Sequence, residues 1–109
     1  MSIYHLSHPE TVPVWLPQWL SESELRSFFK PAIISASSSL LLKRGEGYFL
    51  DWGDNFLSLR MGVFTCRWVL QGNSWQPSCS CSFPSPYCVH SWAAAFLLKD
   101  ISYQKGWLE

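Results

Sequence analysis

Twelve residues limit this chain more than any others: Cys79-Ser-Cys81-Ser-Phe-Pro-Ser-Pro-Tyr-Cys88-Val-His90, or C-x-C-x6-C-x-H. Three thiols and one imidazole in so short a span are the donors of a tetrahedral zinc ion, which takes Cys sulfur and His nitrogen together. In an extended strand, residues i and i+2 point to one face, roughly 6.5 Å apart. The sulfurs of Cys79 and Cys81 can therefore lean toward a single ion. The intervening residues carry Pro84 and Pro86, which bend the chain back without helix or ladder. Cys88 and His90 fall where an apolar helical run begins, Ser91 to Lys99. A helix N-terminus favours a thiolate through its dipole and free N–H groups. Strand, turn and helix start make a workable clasp.

Two other uses of the same residues have less physical support. Four cysteines are an even number, but no secretory signal marks an oxidising compartment in which disulfides persist. A catalytic Cys–His pair needs the two side chains facing each other with a third group orienting the base, and residues two apart on a helix do not face each other. Four protein ligands leave no open coordination position, so a zinc ion here is expected to be structural.

The pattern resembles the SWIM zinc finger, whose signature is C-x-C, a variable gap, then C-x-H leading into a helix. The small and apolar residues from Ser91 to Leu98 look like that family's helix, and the finger would occupy about residues 66–101. The resemblance implies a zinc-binding module that contacts DNA or proteins and is not itself an enzyme. The layout also looks like the region preceding a bacterial Swi/Snf-type helicase-like ATPase, which implies an accessory role in a DNA-associated protein.

The remainder of the chain can build a core around such a clasp. Of 109 residues, 48% are hydrophobic and seven are tryptophan, which argues against disorder and for one domain. Lys plus Arg equals Asp plus Glu at eight each, whereas nucleic-acid binders usually show a basic excess. The longest apolar run, Trp92 to Leu98, is too short to span a membrane. The N-terminus lacks a signal-peptide pattern, so a reducing cytoplasm is the expected location.

Residues 1–20 read as an aromatic, proline-rich arm, with Pro9, Pro13 and Pro17 among Trp15 and Trp19. No regular element is expected from Tyr4 to Leu20. The tryptophans either lay the arm over the core or present an aromatic patch to a partner. His5 and His8 are expected at the surface. Residues 21–109 read as a single domain. Ser21-Glu-Ser-Glu24 is a capping box with Leu20 and Leu25 as its staple, and predicts a helix over about 22–29 that stops or bends at Pro31. A second, serine-rich helix is expected from Ala32 to Leu42, capped by Gly45. Four strands follow, at about 48–52, 56–61, 63–70 and 75–79, joined by turns at Gly53-Asp-Asn55, Gly62 and Gln71-Gly-Asn-Ser74. Cys66 falls on the apolar face of the third and reads as a small core residue. A last helix is expected from Val89 to Lys99, apolar nearly all round and therefore buried on more than one side.

The expected fold is thus α+β: an N-terminal helical portion, an antiparallel β meander and a strand–zinc–helix clasp. Two binding functions stay open. Lys43, Arg44, Arg60, Arg67 and Lys99 are the candidate phosphate contacts for weak, non-specific DNA binding. The aromatic arm and the loop around Phe83 and Tyr87 are the candidate surface for a protein partner. A purely structural zinc domain fits as well. Nothing suggests a small-molecule substrate or a membrane.

Overall fold

The backbone alternates between two helical segments and a sheet that collects all the strands. The computed structural model describes residues 5–43 and 47–107. The strands are β1 (His5–Ser7), β2 (Gly47–Trp52), β3 (Phe56–Met61), β4 (Phe64–Gln71) and β5 (Ser74–Cys79), in the spatial order β1-β2-β3-β4-β5. The helices are α1 (Glu22–Phe28), α2 (Pro31–Lys43) and α3 (Val89–Lys105), and a short 3-10 turn covers Leu16–Gln18. The β2 to β5 meander is antiparallel throughout. Among the described residues no helix is long and apolar enough to cross a membrane.

Alternation along the strands decides which face holds the core. Tyr48, Leu50, Leu57, Leu59, Met61, Cys66, Trp68 and Trp75 are all buried on one side. α3 covers that side with Ala93, Ala94, Leu97, Leu98 and Ile101, and α2 packs behind it. The tight turns follow their glycines. Met61 pairs with Phe64 and Gln71 with Ser74, leaving two-residue connections that begin at Gly62 (φ 62°) and Gly72 (φ 63°). A positive φ at the first central position is the hairpin turn whose twist matches the flanking strands.

The N-terminal segments resolve in favour of the core. Trp15 and Leu16 are buried, and the indoles of Trp15 and Trp19 meet Trp75 at 4.7 and 4.8 Å. The Trp15 Nε1–H donates to the Gly53 carbonyl at 2.7 Å, and the Trp52 Nε1–H to that of Thr11 at 2.8 Å. The arm is thus laid over the core by its tryptophans. His8 is half-buried, not a free surface residue, and stacks on Trp52. The side chain of His5 lies outside the described set.

Ser21 caps α1 as the capping box requires: the Glu24 N–H donates to Ser21 Oγ and the Ser21 N–H to Glu24 Oε1. Pro31 opens α2, where its missing N–H costs nothing. The serines of α2 have a packing reason as well. Ser37 is fully buried, and its hydroxyl donates to the Val89 carbonyl at 3.1 Å, tying α2 to the start of α3.

Three elements depart from expectation, the first being the short 3-10 turn at Leu16–Gln18, inside the proline-rich stretch where no regular element was expected. β1 forms where no regular element was expected, because residues 5–7 precede the first proline and pair with Gly47, Tyr48 and Phe49 in parallel. The long connection that a parallel pair needs is supplied by α1 and α2. α3 runs to Lys105 and does not fade after Asp100. Ile101 and Ser102 are buried against the core, and Gly106 (φ 73°) ends the helix with its N–H on Ser102 and Tyr103. Trp107 then folds back edge-on to Trp52. The cap expected at Gly45 lies outside the described residues.

Candidate metal centre

The ends of two elements and the loop between them build the site. Cys79 closes β5, Cys88 is the N-cap of α3, and His90 lies in the first turn of that helix. Cys81 does not continue the strand: β5 stops at Cys79 and Cys81 sits in a bend. Pairing to β4 nevertheless persists past the strand end. The Ser80 N–H donates to the Thr65 carbonyl at 3.0 Å, and the Thr65 N–H to Ser80 Oγ at 2.9 Å. That pairing holds the knuckle between Cys79 and Cys81 against the sheet, so the two sulfurs still turn the same way.

The ligand atoms of Cys79, Cys81, Cys88 and His90 all lie within 4.8 Å of one another. His90 Nδ1 is 3.5 Å from Cys79 Sγ and 3.9 Å from Cys88 Sγ. A zinc ion with bonds of about 2.3 Å to sulfur and about 2.0–2.1 Å to nitrogen sets tetrahedral S···N edges of about 3.6 Å. The donor set and these two S···N spacings are therefore compatible with a tetrahedral metal. Cys88 and His90 are buried, Cys79 and Cys81 half-buried. A surface cavity of about 350 Å³, lined by Phe64, Cys81, Phe83 and His90 among others, opens beside them.

The cysteines differ in their readiness to ionise. Burial opposes ionisation of Cys88, but hydrogen bonds from the His90 ring and the N–H groups of the first helical turn outweigh it and lower its thiol to about 6. Burial pushes the Cys79 thiol up. Burial also lifts Cys66, to about 12. Cys66 is opposite Cys79 in the β4–β5 register, yet it stands outside the converging group and remains a core thiol, as its strand position implies.

Two supporting residues went unread in the sequence. Phe64 lies 4.8 Å from the His90 ring and limits how it turns. Ser91, fully buried, places its hydroxyl 3.3 Å from Cys66 Sγ and 3.6 Å from Cys88 Sγ, donates to the Pro86 carbonyl, and offers its own carbonyl to the Trp68 indole at 3.0 Å. A polar residue inside an otherwise apolar helical run was the available signal.

The other candidate residues scatter. Arg60 and Arg67 share the sheet face opposite α3. Lys99 lies in the helical layer, where it pairs with Glu22. Lys43 ends α2, and Arg44 is outside the described residues. Of the four aromatics considered for docking, Trp15 is buried, Trp19 and Tyr87 are half-buried and Phe83 is exposed. Tyr87 packs between Phe28, Phe29 and Trp68 and so anchors the metal loop to the core. No protein-family model, curated protein or solved structure matches the chain.

Proposed function

We propose that the chain is a SWIM-type zinc module, a non-catalytic interaction domain whose zinc ion clasps β5 to α3. The observation that carries this reading is the convergence of Cys79, Cys81, Cys88 and His90, with spacings that suit a tetrahedral ion. In this reading the ion supplies a fixed cross-link and no Lewis-acid step, because four protein ligands fill its coordination shell. The three thiols and the imidazole hold it. Phe64 and Ser91 orient two of those ligands, and Tyr87 keeps the loop against the core. The partner is nucleic acid or protein, and the setting is the cytoplasm, as an accessory part of a DNA-associated helicase-like protein.

Chelation followed by amide hydrogen exchange tests the clasp. In this reading the metal adds a cross-link to residues 80–92 beyond their packing, whereas Leu97, Leu98 and Ile101 are held by apolar burial alone. Protection at 80–92 should disappear first, with Leu50, Leu57 and Trp68 retaining theirs. An unchanged exchange pattern after chelation would contradict the clasp. Loss of protection at every position together would show that metal and sheet form one cooperative unit.

A further inference from the structure

The sheet face turned away from α3 carries two arginines, each laid on a phenylalanine. Arg60 Cζ lies 5.2 Å from the centroid of the Phe49 ring, and Arg67 Cζ 4.8 Å from that of Phe56. The register produces the first pair directly, since Arg60 is the Cα partner of Phe49. The second is diagonal: Arg67 pairs with Ser58, two residues on from Phe56. Among the described residues neither guanidinium is in an ion pair, whereas Arg26, Lys99 and Lys105 all are. Among the described residues Asp51 is the only acidic strand residue with this orientation, and its Oδ1 already accepts the Trp52 N–H. Phe49, Arg60 and Arg67 are exposed.

A guanidinium stacked on a ring has an outward plane and a free N–H edge. The plane is a stacking surface for a nucleic-acid base, and the edge suits a phosphate. The backbones of Arg60 and Arg67 lie one strand and two residues apart, about 8 Å, which adjacent unstacked nucleotides can span. A duplex hides its base faces and would gain only the phosphate contacts. We propose that this open face binds a single-stranded nucleic acid, with bases stacking over the Arg60–Phe49 and Arg67–Phe56 pairs and the guanidinium edges holding phosphates. The inference rests on the reading of the chain as an interaction module and names its partner and surface.

The test titrates the metal-loaded chain, its metal content measured first, against labelled oligo(dT) of about a dozen nucleotides and against a duplex of equal length. The single strand should bind at least about tenfold tighter. Its log affinity should fall with log salt at a slope of about −1.4, or about 0.7 for each of two phosphates. Arg60→Lys combined with Arg67→Lys keeps the charge and the slope but removes the flat planes, and should weaken binding about tenfold. Lys105→Ala should change nothing. Equal affinity for the duplex, or an unaffected double-lysine variant, overturns the proposal. So does metal-loaded protein that ignores oligo(dT), or that self-associates through this face in a manner the double variant abolishes. These outcomes would point to a protein partner and leave the zinc site standing, whereas protein free of metal would count against the site alone.

Discussion

Replacing His90 by alanine is expected to weaken zinc binding by more than about a hundredfold. Residues that merely hydrogen-bond to a metal ligand cost about 10–100-fold when removed, and a direct ligand should cost more. His90 Nδ1 lies 3.5 Å from Cys79 Sγ and 3.9 Å from Cys88 Sγ, so under the proposed assignment its loss would open the shell on the helix side. Competition against a chromophoric chelator measures the effect. His8→Ala is the matched control, because His8 stacks on Trp52 and has no part in the cluster. Equal affinities for the two variants would place the metal elsewhere, and Cys66, opposite Cys79 in the register, would be the next residue to replace.

The second large effect is expected at Trp68. It is fully buried, and its ring meets Trp19 at 5.6 Å, Phe29 at 6.2 Å and Tyr87 at 6.4 Å. Its indole N–H donates to the Ser91 carbonyl beside His90. One side chain therefore touches the arm, the end of α1, the metal loop and the first turn of α3. Truncating a buried tryptophan to alanine typically costs about 3–5 kcal/mol. Domains of this size have a total stability of only about 5–15 kcal/mol. Trp68→Ala should accordingly lose most of its resistance to urea, while Phe83→Ala, at an exposed loop position, should stay within about 0.5 kcal/mol of the parent. Denaturation midpoints at constant zinc concentration decide it, and a Trp68→Ala midpoint equal to that of Phe83→Ala would contradict this account of the core.

The meander and the ligand cluster were legible for the same reason: both depend on short-range spacing. Alternation from Tyr48 to Cys79 sets the strand faces, Gly62 and Gly72 set the hairpins, and the C-x-C and C-x-H pairs need only their neighbours to converge. The capping box at Ser21 was readable for the same local reason. β1 was not legible, because three residues show no periodicity and the strand forms only when β2 offers its edge from some forty residues away. The length of α3 was obscured by Asp100 and Ser102, polar residues that look like an ending. The Ser102 hydroxyl instead donates to the Leu98 carbonyl within the helix and is buried there. Ser91 was hidden likewise, since the value of a buried hydroxyl depends on Cys66 and Cys88, which only folding brings to it. The two stacked arginines also needed the register, which decides that Arg60 falls beside Phe49.

Whether the four converging side chains hold zinc is settled most directly by elemental analysis of the chain purified without added metal, read beside the same analysis of a Cys81→Ser, Cys88→Ser double variant. The expected result is one zinc per chain in the parent and little or none in the variant, since two thiolates of the shell are gone. A parent protein with zinc near zero, or a variant that retains the full amount, would contradict the assignment of these residues as a zinc site.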